Sequence, residues 1–491
     1  MPSRSQPDRR ARTVLVIAVA LSGLYALTTL VDYLRPRIGE DDPALGILLS
    51  GSPVAPVVTL GVVVSSWVAA AALGLVAVAV QPDPRVGGLG QGSRWTYLIA
   101  AVLMAPWLII SIGVLLSNPL GTLACLPTTA FGYFLVTRMQ RFRRLPAWLT
   151  LSAFAWGALI AIGFSAAMNI TFLSYVLPYL AGAGAGLDGL LDVALKVPVL
   201  GSLHAGIFEE LAKGLGVAIL YVLFRRHIDN VVSGIVLGAC VGLGFNFNES
   251  IQYMSVNDPG AGVYAFWGRQ TLGLMAAHLA FTAVVGAGFG IAAQLREPRQ
   301  RRLVIGAGFV IAMSAHFASN VVLSYYGKIL KARWDIGDTV DTLVMLPLAI
   351  LLLQGPFVAM YVLLIRRGAR EESSALTLEL AREARSPYGS VTVPELYVLL
   401  NPRKRLRAKV HAWRSGGGVV AYRLLDRLYQ AQYTVGTQRW HRSRDELDPF
   451  APPDDVLRAK AMHIKAELAA SWQARQWAPP LAPGAQGAPP R

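Results

Sequence analysis

Polar positions are almost absent from ten runs of this chain, near residues 13–34, 53–80, 96–116, 119–137, 147–175, 203–224, 231–254, 270–294, 303–326 and 340–365. Each run approaches or exceeds the roughly 20 residues a helix needs to cross about 30 Å of hydrocarbon. The pattern predicts an all-α fold: a polytopic transmembrane helical bundle of about ten spans, the fourth of them interrupted by Pro127. Residues 1–175 hold five spans with almost no ionisable side chain at depth, and read as a membrane scaffold. Asn169 is their main polar exception, explained by a hydrogen bond between helices. Small residues such as Ala69, Ala70, Ala71, Ala72 and Gly74 suit close helix packing there.

A second region, 176–365, opens on an outer segment with a short interfacial helix around Leu187–Leu195, and then carries nearly all the intramembrane polarity. Beyond Arg366 and Arg367, residues 366–491 read as a soluble tail, with apolar residues at helical spacing in 374–384 and 419–430. Asp454 and Asp455 resemble a helix start before 456–472, and the Pro, Gly and Ala composition from about 478 predicts disorder.

The polar groups inside the later spans are few and ionisable. The run from His204 to Phe224 carries Glu209, Glu210 and Lys213 in its first half. A charged side chain at the bilayer centre costs roughly 2.5–3.5 kcal/mol on insertion scales, so three of them call for partners or a role. Glu209 and Lys213 lie four apart and share a helix face, while Glu210 lies about 100° round from Glu209. The next span gives Asn246, Asn248 and Glu249; the one after it His278; the ninth His316 and Asn320, again four apart. Counting inward at 1.5 Å per residue, Glu209, Glu249, His278, His316 and Asn320 all fall roughly 8–15 Å below one surface. Polar residues scattered for packing would not share a layer.

Composition fits a membrane protein, with 54% hydrophobic and 15% charged residues, yet the net charge is +16. Its placement explains it without nucleic acid. With the N-terminus inside, sixteen basic residues lie in cytoplasmic loops (among them Arg4, Arg9, Arg138, Arg144, Arg225, Arg296 and Arg302). Seven lie outside: Arg35, Arg37, Lys196, Arg269, Lys328, Lys331 and Arg333. That bias predicts a multi-pass protein of the cell membrane with both termini cytoplasmic and the first span an uncleaved anchor. Cys125 and Cys240 both fall in spans, which speaks against a disulfide. The basic run Arg403 to Lys409 reads as a solvated face or a contact with anionic inner-leaflet lipid.

The layer thus holds a carboxylate pair, two imidazoles and an amide, opening toward the outer face. Two carboxylates sharing an apolar site cannot both ionise cheaply, so the pair can take a proton from water and give one to a leaving amine. His316 and Asn320 are able to aim donors at the oxyanion of a tetrahedral intermediate. Acyl-bond hydrolysis follows, and no serine or cysteine with an adjacent base stands out as a nucleophile. Glu210, Glu249, His278 and His316 also form a candidate zinc set with an open position for water. No HExxH is present and the ligands would come from four helices, so metal-free glutamate chemistry is preferred.

Three motifs and a histidine carry a family resemblance. Glu209-Glu210-Leu-Ala-Lys213 has the EExxK form, Phe245-Asn-Phe-Asn-Glu249 the FxxxE form, and His316-Phe-Ala-Ser-Asn320 the HxxxN form, with His278 between. Over about 195–325 the chain resembles the PrsW intramembrane proteases, distant relatives of CAAX-processing proteases. The resemblance implies cleavage of a single-pass, membrane-anchored substrate, such as an anti-sigma factor, near the outer face. It also implies Glu209 as base, His316 and Asn320 as oxyanion donors, and Glu249 and His278 as water or substrate ligands, with Glu210 in the same site and Lys213 and Phe245 supporting. A Glu ends FxxxE where the CAAX relatives have a His.

The rival from another class is an ion- or proton-coupled transporter, which would show polar groups through the whole depth or paired broken helices in two similar halves. Here polarity stops in the outer half, and the first five spans do not mirror the last five. A third reading is an inactive relative that binds substrates only, and the intact Glu209, Glu249 and His316 argue against it.

Overall fold

The computed structural model describes residues 6–34, 54–80, 91–177, 187–254, 259–323, 327–444 and 451–476. It is 90% helical, with no strand among the described residues, as the long apolar runs require. Contacts divide it into two compact units, one of residues within 1–137 and 146–364, the other within 138–145 and 365–491.

In the first unit the helices run α1 (Gln6–Leu34), α2 (Val54–Val80), α3 (Gln91–Met104), α4 (Trp107–Ser117), α5 (Pro119–Arg138), α6 (Ala147–Ala155) and α7 (Ile162–Thr171). A single π-helical turn, Trp156–Ala161, joins α6 to α7. Then come α8 (Leu187–Phe224), α9 (Val231–Met254), α10 (Pro259–Phe266), α11 (Ala277–Gln294), α12 (Pro298–Val321), α13 (Gly327–Arg333) and α14 (Leu346–Ala384).

Among the described residues, eight segments are individually long and apolar enough to cross a membrane: Ala11–Val31, Thr59–Ala77, Pro119–Arg138, Ala147–Thr171, Val231–Met254, Gly262–Gln294, Pro298–Val321 and Asp338–Ala384. A ninth forms if Trp95–Met104 and Trp107–Ser117, bent by 57°, make one span; Pro106 sits at the break. The remaining expected span, the sixth in chain order, lies in α8, which is not among the eight; Glu209, Glu210 and Lys213 lower its apolarity. One boundary differs from the sequence reading: the interfacial helix around Leu187–Leu195 is no separate element, because α8 continues through Pro198 into the span. Arg366 and Arg367 lie within α14, which runs on to Ala384.

Helix α9 is the axis of this unit: its most apolar window is 100% buried, against 83% for Gly262–Gln294 and less than half for the other spans. Glycine makes that burial possible. Gly234, Gly238 and Gly242 recur every four residues along one face of α9. A Cβ at these positions would overlap the backbone oxygens of Gly286, Thr282 and His278 on α11. Backbones therefore touch along the seam, the small-residue packing that membrane helices use where hydrophobicity cannot drive association. Another face of α9 meets α6 and its π turn in the same way, through Gly244 and Gly157.

The second unit holds the rest of α14, then α15 (Val393–Leu399), α16 (Pro402–Ala412), α17 (Gly418–Ser443) and α18 (Asp454–Gln476). Its core joins Leu376, Leu380, Val391, Leu399, Tyr429 and Tyr433 to Phe142 from the loop between α5 and α6. Gln430 fixes that loop, donating to the Phe142 carbonyl (3.0 Å) and accepting from the Arg144 amide (2.9 Å). The helical periods at 419–430 and 456–472 fall in α17 and α18. The disorder expected from about 478 lies outside the described residues.

Candidate active site

The first turns of α8 to enter the apolar region bring Glu209, Glu210 and Lys213 together, all buried. Lys213 Nζ lies 2.6 Å from Glu210 Oε1 and 3.7 Å from Glu209 Oε2. It also contacts His278 Nδ1 at 2.9 Å and sits 4.1 Å from the centre of the Phe245 ring. The ammonium, wholly removed from solvent, thus touches three of the four polar helices at once. Such a charge persists in a low-dielectric interior only when paired and hydrogen-bonded.

His278 owes its position to a break in the eighth span. The π turn Trp267–Leu272 ends at Gly273, and α11 restarts at Ala277, so His278 stands in its first turn. Gln354 of α14 accepts from the Ala277 amide (3.1 Å), satisfying one of the donors a helix start leaves open. The break also turns Arg269 inward, where its guanidinium pairs with Glu249. Glu249 Oε2 in turn lies 2.6 Å from His278 Nε2. Since Lys213 can only donate, His278 accepts at Nδ1 and donates from Nε2 to Glu249. The imidazole is fixed from both sides.

His316 is held differently. Its Nδ1 donates to Glu210 Oε1 at 3.0 Å, and Thr282 Oγ1 donates to Glu210 Oε2 at 3.3 Å. The His316 ring stacks on Phe281, centroids 5.8 Å apart, and meets His278 edge-on at 5.0 Å. Its Nε2 faces Glu209 Oε2 at 3.6 Å, too long for a direct hydrogen bond. Glu209 Oε2 is buried and has no hydrogen-bond partner among the described residues. The other oxygen of Glu209 accepts from Asn169 Nδ2 (3.4 Å), whose Oδ1 accepts from His204 Nδ1 (3.0 Å). His204 is sandwiched between Phe172 and Phe208, with centroids 4.1 and 4.3 Å away.

Three carboxylates therefore meet two permanent cations. Glu210 takes Lys213 and Glu249 takes Arg269, which leaves Glu209 without a close cation of its own. Glu209, His278 and His316 each present one ligating atom, all within 4.8 Å of one another. Two imidazoles and a carboxylate with an unpartnered oxygen fit a divalent ion, provided His278 releases Lys213 or Glu249. Glu210 and Glu249, expected among the metal candidates, are occupied by cations instead.

Of the residues singled out in the sequence, Glu209, Glu210, Lys213, Phe245, Glu249, His278 and His316 converge. Asn320, half-buried one turn beyond His316, forms no hydrogen bond with them. Asn248 serves packing, donating to the carbonyls of Ser111 (3.1 Å) and Ala158 (2.9 Å), and Asn246 donates to the Arg269 carbonyl (3.3 Å). Three contributors come from outside that set. Arg269 is read from the sequence only as an outer basic residue, Asn169 only as a packing group, and His204 only as the start of its apolar run. The signal for Arg269 was its place inside the apolar segment Gly262–Gln294.

Fold and site together define a polytopic helical membrane protein with a buried acid–imidazole cluster shared by the four helices α8, α9, α11 and α12. Residues 145–352, the segment that contains all three motifs, match the family model described as PrsW family intramembrane metalloprotease. The match supports a peptidase embedded in the membrane and acting on membrane substrates. No curated protein and no solved structure matches the chain.

Proposed function

We propose that this chain is an intramembrane endopeptidase that hydrolyses one peptide bond of a single-pass membrane-anchored protein, an anti-sigma factor being one candidate, near the outer face of the cell membrane. The arginine distribution supports that orientation, with both termini cytoplasmic. The observation that carries the chemistry is the pair of open valences, Glu209 Oε2 and His316 Nε2, 3.6 Å apart in a buried setting. A water seated against Glu209 gives up a proton to the carboxylate while its oxygen attacks the scissile carbonyl. Negative charge then develops on the carbonyl oxygen. His316, protonated at Nε2 and backed by Glu210 at Nδ1, donates to it together with Asn320 Nδ2. The proton held by Glu209 passes to the amide nitrogen, the C–N bond breaks, and a carboxylic acid and an amine leave. Lys213, Arg269, Glu249 and His278 hold the frame and orient water or substrate.

A second reading is favoured by the three-atom donor set and by the family description. A divalent ion held by Glu209, His278 and His316 would supply Lewis-acid activation of the attacking water. The decisive experiment is membrane proteomics comparing wild type with Glu209→Gln, each with and without a strong chelator. Single-pass proteins that lose a processed form in the variant identify substrates. Unchanged processing in Glu209→Gln removes the assignment, and chelator inhibition reversed by zinc selects the second reading.

A further inference from the structure

Between Glu395 and Asp426 the chain carries seven basic residues and no acidic one. Lys404 lies over the Tyr397 ring, 5.8 Å from its centroid, and the structure divides the other six into two sets. Arg405 and Lys409 turn inward: Arg405 donates to the Arg141 carbonyl (2.8 Å), and Lys409 pairs with Asp426 (2.9 Å). Arg403, Arg407, Arg414 and Arg423 are exposed and form no ion pair among the described residues. Surface cations with no protein partner are expected where an anion outside the chain is the partner.

Large apolar side chains stand beside them. Leu406 and Trp413 are 54% and 50% exposed. Seven residues apart, they share a helix face at about 100° per residue, with Arg403, Arg407 and Arg414 on its flank. The chain then reverses at Gly418, whose φ of 54° suits glycine, and begins α17 with Val419 and Val420, 55% and 59% exposed. Neighbouring large apolar side chains on a helical surface mark a binding face rather than a solvated one. A tryptophan among aliphatic side chains, rimmed by arginines, is the composition of helices that lie in a membrane interface.

We propose that the tip formed by α16, the π turn Trp413–Gly417 and the start of α17 docks into an anionic lipid surface. Leu406, Trp413, Val419 and Val420 enter the headgroup boundary, and the four free arginines contact lipid phosphates. Charge complementarity selects lipid over an apolar protein partner. The unit is tethered to the bilayer by α14, so each contact is intramolecular and weak individual terms suffice.

The test uses the full chain in proteoliposomes, with an environment-sensitive fluorophore on Leu406→Cys or Val420→Cys; Cys125 and Cys240 are buried and stay unlabelled. His463→Cys, 73% exposed on α18, is the control. Vesicles of phosphatidylcholine alone are compared with vesicles containing about one-quarter phosphatidylglycerol, where each engaged arginine strengthens docking about fivefold. Expected are a blue shift and quenching by lipid-borne nitroxide at 406 and 420 but not at 463, stronger with phosphatidylglycerol and weakened by salt. Arg414→Gln should lower the docked ratio about fivefold. Absence of quenching in anionic vesicles overturns the proposal. So does a blue shift without nitroxide quenching, which would assign the face to a protein partner.

Discussion

Lys213 is the side chain on which the buried cluster most depends, and removing it should expose that dependence quantitatively. Its Nζ lies 2.6 Å from Glu210 Oε1, where two unit charges attract by about 6 kcal/mol at an effective dielectric of 20. Lys213→Met keeps much of the volume and removes the burden of burying an ammonium, which returns part of that attraction. What remains is a carboxylate in hydrocarbon with only His316 and Thr282 beside it. The expected net loss is about 3–5 kcal/mol, as for other buried pairs broken from one side. Glu210→Gln should cost a similar amount by stranding the ammonium. The double variant leaves neither charge of this pair stranded, so its loss should fall below the sum of the single losses by about 2–3 kcal/mol. Equilibrium unfolding in mixed detergent–lipid micelles, following a helical signal, measures all four corners of the cycle. Additive losses would show that Lys213 does not stabilise Glu210 and would refute the charge pairing on which the role proposed for Glu209 rests.

Two further outcomes are expected. Gly242→Leu places a side chain where a Cβ already overlaps the His278 carbonyl oxygen; it should lower stability by about 1–3 kcal/mol and abolish processing, whereas Gly306→Leu, with open space around it, should do neither. In the second unit, burial pushes the Asp454 carboxyl upward, but hydrogen bonds from Arg442 and Gln438 and the charges of Arg442 and Arg458 outweigh this and hold it below the usual range. The stability it contributes is therefore present above the unfolded value of about 3.9 and is lost as pH falls through the lower folded value. Hydrogen exchange of α18, corrected for intrinsic rates, should lose protection over that window, and Asp454→Asn should remove the dependence; an unchanged pH profile in the variant would refute it.

Much of the site is legible in the sequence because charge in an apolar run is rare enough to demand a reason. Glu209, Glu210 and Lys213 announce themselves that way, and Glu249, His278 and His316 follow by depth. Arg269 escapes because a basic residue next to a loop reads as topology, and only the break at Gly273 to Ala276 turns it inward. Asn169 and His204 escape for another reason: their link to Glu209 spans forty residues and an aromatic sandwich that no local spacing reveals. In the fold, small residues are a good sign of close packing but a poor guide to where it occurs. Gly74 has nothing within 4 Å of its would-be Cβ, while the four-residue glycine spacing of α9 brings backbones into contact. The capture of Phe142 by the tail is a long-range event, invisible to periodicity.

Depth gathers the candidates without ranking them; pairing ranks them. Glu210 and Glu249 each face a permanent cation at ion-pair distance, and a carboxylate so engaged is a poor acceptor for a proton from water. Glu209 is farther from Lys213, at 3.7 Å, and keeps one oxygen free of hydrogen bonds. The network from His204 through Asn169 holds its other oxygen, so the free one is aimed rather than loose. A base for water must be buried enough to act in a low dielectric, oriented, and short of a neutralising partner, and among these three glutamates only Glu209 meets all three conditions.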